Sequence, residues 1–209
     1  MIRILIADDH AIVRRGMKQL LLEEYPSATI GEVDDAEALI KRVGAKTWDV
    51  VICDLNMPGR SGLDALKQIK QTSPHLPVLI MSMYPAEQYA VRVLKAGASG
   101  YLGKGSIHDE LIEAVRTVLR GKKFITPAIA EVLAEEFDLT GSHPTHASLS
   151  DREFEVLKFL ASGKSVSEIS DKLSLSMTTV STYRSRILKK IGLHSNADLA
   201  RYAIENSLI

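Results

Sequence analysis

The chain has no charge excess, almost no cysteine and no long apolar run, and each absence closes off a class of function. Its 209 residues carry 26 basic and 26 acidic side chains, so bulk electrostatics selects neither a nucleic acid nor a membrane surface as partner. A single cysteine excludes an internal disulfide and fits a reducing compartment. No stretch reaches the ~18 consecutive apolar residues of a membrane span. Met1, Ile2, Arg3, Ile4 and Leu5 run straight into a strand, whereas a signal peptide needs a longer apolar core and a cleavage site. The expectation is a soluble cytoplasmic protein with no membrane partner. Six histidines are present, but none has metal-ligand spacing; His143 and His146 share a loop without partner ligands.

What the chain does have is Val50-Val51-Ile52-Cys53 leading without alternation into Asp54. An unbroken apolar run of this kind reads as a strand buried on both faces. Pro58 and Gly59 then turn the chain. Asp54 therefore stands at the carboxyl end of a central strand, the edge where open α/β sheets place their ligands. Around it, apolar runs at 2–7, 29–33, 49–54, 77–82 and 100–102 alternate with helical spacing at 11–24, 36–43, 63–72, 86–95 and 107–119. Gly44 is expected to stop the second of these helices. Five such alternations predict a doubly wound, five-stranded parallel sheet with helices on both faces. Cys53, inside an apolar strand, reads as a small hydrophobe rather than a redox site.

That architecture brings strand ends together. Asp8 and Asp9 end the first strand, Asp54 the third and Ser82 the fourth, and Lys104 follows the fifth. Singly, each has a bland reading as a cap, a loop hydroxyl or a surface charge; jointly they describe a site. Clustered carboxylates repel, and a hard divalent cation such as Mg2+ relieves the repulsion while leaving room for phosphate oxygens. Asp54 can then act as a carboxylate nucleophile and become an aspartyl phosphate. Lys104 and the cation would neutralise charge on the transferred group, and Ser82 can donate to a phosphoryl oxygen.

The segments Ile6-Ala7-Asp8-Asp9-His10, Asp54 to Gly59, Ser82 and Gly100 to Lys104 resemble a response-regulator receiver domain over residues 1–122. The resemblance implies a flavodoxin-like receiver fold and a phosphoacceptor at Asp54. It implies Mg2+ held by Asp9, Asp54 and the Asn56 carbonyl with Asp8 nearby, and a phosphate-sensing switch of Ser82 and Tyr101 beside Lys104. Ser82 stands where Thr is frequent, and Gly105 where Pro often follows the lysine, which predicts a looser loop.

Residues 123–148 read as a linker: a short helix over 127–137, then a polar, turn-rich tether. With four acids and no Lys or Arg over 125–148, it is a poor DNA ligand. Beyond it, Ser150-Asp151-Arg152-Glu153 has the form of a capping box. Apolar spacing predicts four helices, with Ser176 capping the third over 177–191 and the fourth over 196–207. The tight turn between the second and third makes a helix-turn-helix unit. The third helix places Val180, Ile187, Leu188 and Ile191 inward. Thr178, Thr179, Ser181, Thr182, Ser185, Arg186, Lys189 and Lys190 are the candidate DNA-binding residues. From Lys172 to Ala197 there is no acid, against five Lys or Arg, so phosphate contact is local rather than global. On a helical wheel Arg184 falls on the packed side, a poor reader of bases.

Leu149 to Leu157, Ser167-Glu168-Ile169 and Thr179 to Gly192 are similar to the LuxR-type four-helix DNA-binding domain, here over 149–209. Ser181 and Tyr183 replace the common Lys and His, so sequence preference is not inherited. Together the two halves resemble the NarL/FixJ response regulators. The resemblance implies a transcriptional regulator phosphorylated by a sensor histidine kinase, homodimeric on phosphorylation and bound to promoter DNA. Two rivals stand beside it: a phosphatase of the haloacid-dehalogenase type, which wants a carboxylate where Asn56 stands, and a receiver that dimerises without phosphorylation.

Overall fold

In the computed structural model, residues 1–57, 60–138, 146–173, 175–206 and 208–209 are described; the turn expected at Pro58-Gly59 and most of the polar tether lie outside them. Contacts divide the chain into two compact units, residues 1–138 and 139–209.

The first unit alternates strand and helix as the apolar runs predict: β1 Arg3–Ala7, α1 Ala11–Glu24, β2 Thr29–Val33, α2 Ala36–Ala45, β3 Val50–Asp54, α3 Gly62–Thr72, β4 Val78–Ser82, α4 Ala86–Lys95, β5 Gly100–Gly103, α5 Ile107–Leu119 and α6 Pro127–Asp138. All strand pairs are parallel, in the order β2-β1-β3-β4-β5. Register aligns the carboxyl ends: Ala7 pairs with Cys53, Asp54 with Met81 and Ser82 with Gly103. Ile4, Ile6, Val50, Ile52, Leu79, Met81 and Leu102 form one core layer with Met17 and Leu21 of α1 and Leu111 and Val115 of α5. The alternate residues Leu5, Val51 and Ile80 are equally buried, so the opposite sheet face is covered too, as period-2 alternation in a two-sided sheet requires.

Two details differ from the sequence expectation. Gly44 does not stop α2; the helix runs one residue further, and the Lys46 N–H donates to the Arg42 carbonyl. Glycine weakens a helix by about 1 kcal/mol without forbidding it. The helix assigned to the linker, α6, packs against α4 within the first unit, with Ile129 fully buried.

The second unit holds α7 Asp151–Ala161, α8 Val166–Leu173, α9 Met177–Ile191 and α10 Asn196–Glu205. Ser150 and Glu153 form the reciprocal capping box expected of them. Ser176 caps α9 by accepting from the Thr179 N–H, and Gly192 ends it at φ 78°, a left-handed backbone that glycine adopts without strain. Phe154, Leu157, Ile169, Val180, Ile187, Leu199 and Ala203 are buried as its core.

Candidate functional site

The sheet ends deliver their polar residues to one small volume. Asp54 at the end of β3 is 2% exposed, Asp8 past β1 is fully buried and Asp9 is exposed. Ligand atoms of Asp8, Asp9, His10 and Asp54 all lie within 4.8 Å of one another. Lys104 opens a 3-10 turn, Lys104–Ser106, after β5. Its Nζ sits 2.7 Å from Asp54 Oδ2 and 2.7 Å from Asp8 Oδ2, and among the described residues this ammonium is the one partner Asp8 Oδ2 meets. The Ser106 hydroxyl donates to the Gly103 carbonyl and holds that turn despite Gly105.

Burial sets the electrostatics. It pushes the Asp54 carboxyl up to about 6; the Lys104 hydrogen bond and charge oppose this, and the Asp8 charge adds to it. Burial also works against the Lys104 ammonium, but hydrogen bonds to Asp54 and Asp8 outweigh it and hold the pKa above the ordinary lysine value. Burial drives the Cys53 thiol far up, with the Asp54 and Asp8 charges in support; it stays a neutral core residue, because only a thiolate is reactive.

Three carboxylates face one ammonium, so negative charge is left over within a 4.8 Å group. Oxygen donors at that spacing fit a hard divalent cation. The Asn56 N–H donates to Asp54 Oδ1 at 3.3 Å, which helps fix the carboxylate's orientation.

Two contributors escaped the sequence reading. His10 Nδ1 lies 2.7 Å from Asp9 Oδ1 and 3.3 Å from Asp8 Oδ1; its position directly after the two aspartates was the available signal. Gly62 opens α3 hard against β3: a Cβ there would stand 1.9 Å from the Asp54 carbonyl oxygen, and its N–H donates to the Leu55 carbonyl. Only glycine lets the helix start so close to the acceptor.

Ser82 and Tyr101 are buried, at 1% and 2% exposure. They meet through one intermediary. The Tyr84 N–H donates to Ser82 Oγ at 3.0 Å, and the Tyr101 hydroxyl donates to the Tyr84 carbonyl at 2.6 Å. The Tyr84 ring stacks on Tyr89 of α4, with centroids 5.1 Å apart.

In the second unit, α9 presents Thr178, Ser181, Thr182, Ser185, Arg186, Lys189 and Lys190 to solvent, while Val180, Ile187 and Ile191 are buried. Arg184 is tied to α10 through Nε and Asn196 Oδ1, 2.7 Å apart. Thr179 is engaged in the N-cap, its hydroxyl 2.8 Å from that of Ser176. Lys190 is engaged too: its Nζ lies 2.6 Å from Oε2 of the buried Glu153. Burial works against that carboxylate, but hydrogen bonds from Lys190 and Ser150 keep its pKa low. Arg186 and Lys189 have no ion pair among the described residues, which leaves them as the exposed cations of the face.

Residues 4–116 match the family described as response regulator receiver domain, and residues 147–203 the bacterial regulatory proteins of the luxR family. The chain is 34% identical over 210 residues to the response regulator GacA of Pseudomonas aeruginosa, covering 100% of this chain and 98% of that one. A structure of RcsB from Salmonella enterica serovar Typhimurium, bound to promoter P1flhDC in the presence of the phosphomimetic BeF3-, superposes with a TM-score of 0.61 at 29% identity, covering 100% and 99%. A structure of two RcsB dimers bound to two parallel DNAs gives a TM-score of 0.61 at 30% identity, covering 96% and 97%.

Proposed function

The chain belongs to the two-component response regulators that join a receiver to a LuxR-type DNA-binding domain and control transcription, and we propose that phosphorylation of its Asp54 dimerises it and switches its binding to promoter DNA. That family consists of transcription factors rather than enzymes, although the receiver itself has phosphoryl-transfer ability. Among the described residues no helix is long and apolar enough to cross a membrane. The reading places the protein in the cytoplasm with a sensor histidine kinase and promoter DNA as partners.

One observation carries it: a buried carboxylate, Asp54, held between an ammonium and further carboxylates at the ligand edge of the sheet. An oxygen of Asp54 attacks phosphorus in a phosphohistidine or acyl phosphate. The bond from phosphorus to the donor breaks, and its electron pair leaves with the donor. Lys104, already 2.7 Å from Asp54, balances the negative charge that the new group brings. Asp8, Asp9 and Asp54, with the Asn56 carbonyl, would hold Mg2+, which when bound offsets charge on the phosphoryl oxygens.

Ser82 then reads the phosphate. Its hydroxyl turns toward a phosphoryl oxygen, and its hold on the Tyr84 N–H is given up or rearranged. Tyr84 also carries the acceptor for Tyr101, so one loop residue passes the change to β5 and α4. The phosphate can shift the equilibrium only by contacting the two states differently, and this loop supplies the difference. On α9, Thr182 and Ser185 face the bases, and Arg186, Lys189 and the helix N-terminus near Thr178 bind phosphates. The solved RcsB complexes, one on promoter DNA with the phosphomimetic BeF3- and one with dimers on DNA, support a phosphorylation-linked dimer that binds promoter DNA.

Intact-mass measurement after incubation with acetyl phosphate and Mg2+ tests the reading. It predicts a lasting gain of one phosphoryl group in the wild type and none in Asp54→Ala. A phosphoryl group retained by Asp54→Ala would place the acceptor elsewhere.

A further inference from the structure

The first half of α9 is bare of the side chains that most often read bases. From Met177 to Tyr183 it carries no charged and no amide side chain. Lysine and arginine fork onto guanine O6 and N7, and asparagine and glutamine onto adenine N6 and N7. Neither kind stands on the first two turns, the part of a reading helix that meets base edges. Arg184 is held on the packed side by Asn196. Arg186 lies at the rim of the exposed face, and Lys189 stands about 6 Å along the axis beyond Ser185, where both suit phosphates. What the centre of that face offers a groove floor is hydroxyl groups, those of the exposed Thr182 and Ser185.

Both hydroxyls already have their hydrogens engaged. The Thr182 hydroxyl donates to the Thr178 carbonyl at 2.9 Å, and the Ser185 hydroxyl to the Ser181 carbonyl at 3.1 Å. A carbonyl can only accept, so in each contact the hydrogen is the hydroxyl's. The side chains bond back one turn, as Ser and Thr do inside a helix. Each oxygen keeps its lone pairs and has no hydrogen left to give. A guanine O6 or N7, or a thymine O4, would have to take the hydrogen from the helix carbonyl. An amino group would take nothing away. The two residues are about 4.5 Å apart along the axis, against about 3.4 Å between successive nucleotides of a strand, which suits neighbouring base pairs.

We propose that Thr182 Oγ1 and Ser185 Oγ read DNA as acceptors only, each taking a hydrogen bond from an exocyclic amino group, adenine N6 or cytosine N4, on neighbouring base pairs. The inference rests on the reading above that α9 enters the major groove, and it names the class of base atom recognised. Every base pair carries one such amino group in that groove. A pair and its reverse present it at different points across the groove, so an acceptor held by the helix backbone distinguishes A·T from T·A and C·G from G·C.

Single-atom changes in the DNA test the acceptor role. Selection of sites from a random duplex library, with the full chain treated with acetyl phosphate and Mg2+, gives the preferred sequence. The positions whose preference relaxes in Thr182→Val and in Ser185→Ala mark the two contacted pairs, with melting curves confirming that both variants fold. At those pairs, purine in place of adenine, or 2-pyrimidinone in place of cytosine, removes only the amino group. A 7-deaza purine removes only N7. Fluorescence anisotropy should show wild type losing about fivefold or more on amino deletion, the worth of one hydrogen bond, and nothing on N7 deletion. Thr182→Val keeps the shape without the acceptor, so it is indifferent to amino deletion at its own pair and still senses it at the pair of Ser185; Ser185→Ala shows the reverse. Loss on N7 deletion instead of amino deletion would overturn the acceptor role while leaving α9 as the reading helix. Equal loss on amino deletion in wild type and both variants would overturn it too, since another group would then hold the amino hydrogen. Unchanged site preference in both variants would also overturn it, and if Lys189→Ala were equally without effect, the reading of α9 would fall with it.

Discussion

The Tyr101 hydroxyl donates to the Tyr84 carbonyl at 2.6 Å, and the amide of that same Tyr84 donates to Ser82. Ser82 and Tyr101, the pair proposed as the switch, are therefore both tied to one stretch of backbone at Tyr84. Removing the Ser82 hydroxyl should cut the connection without disturbing the acceptor. Ser82→Ala is expected to accept phosphate from acetyl phosphate but to lose most of the phosphorylation-dependent gain in promoter affinity, about tenfold, within the usual 1–3 kcal/mol of coupled sites. Fluorescence anisotropy on promoter DNA, with phosphorylation matched by intact mass, measures it. A full wild-type response would dismiss the Ser82–Tyr84–Tyr101 route.

The raised pKa of Asp54 carries a stability prediction. A carboxyl held at about 6, against an ordinary 3.8, is disfavoured in its ionised form by the fold. The Asp54 contribution to stability is therefore fully present below about 3.8 and is lost as pH rises through about 6. At pH 7.5 without divalent cations, Asp54→Asn should be more stable than wild type by up to ~3 kcal/mol. Adding Mg2+ should raise the melting temperature of the wild type by mass action, with Asp9→Asn and Asp54→Asn responding much less. EDTA should abolish phosphorylation. Equal Mg2+ stabilisation of wild type and Asp9→Asn would remove Asp9 from the cation site.

The exposed face of α9 separates three roles. Lys189→Ala should weaken binding to operator and random duplexes alike and flatten the salt dependence by about one unit. Thr182→Ala should change preference among sites and leave the salt slope alone. Lys190→Ala should instead lower thermal stability by about 1 kcal/mol, because it strands the buried Glu153. Salt titrations on both duplexes, with melting curves, distinguish the three. Unchanged DNA binding by both Lys189→Ala and Thr182→Ala would mean that α9 is not the reading helix.

Much of this was legible in the residue order. A strand buried on both faces has to be apolar throughout, so Val50 to Cys53 and Val78 to Met81 announced themselves, and Asp54 and Ser82 stood out at their ends. The capping box at Ser150 and the cap at Ser176 were equally plain, because caps are local. What remained hidden depends on folding distant segments together. Glu153 reads as a capping residue, and nothing near it in the chain says that Lys190 arrives as its counter-ion. Gly62 reads as an ordinary loop glycine until the Asp54 carbonyl is found where its Cβ would be. His10 has the wrong spacing for a metal ligand by sequence, and only the fold adds Asp54 to its neighbours. The contact of α6 with α4 was illegible because a short amphipathic helix does not state which surface it will cover.

The central claim, that phosphorylation of Asp54 controls promoter binding, is tested most directly by DNA affinity with and without the phosphoryl group. Wild type and Asp54→Ala would each be titrated onto promoter DNA before and after treatment with acetyl phosphate and Mg2+. The account predicts a gain of about tenfold or more in wild-type affinity on phosphorylation, and no change in Asp54→Ala. Equal wild-type affinity before and after, with intact mass showing the phosphoryl group in place, would contradict it.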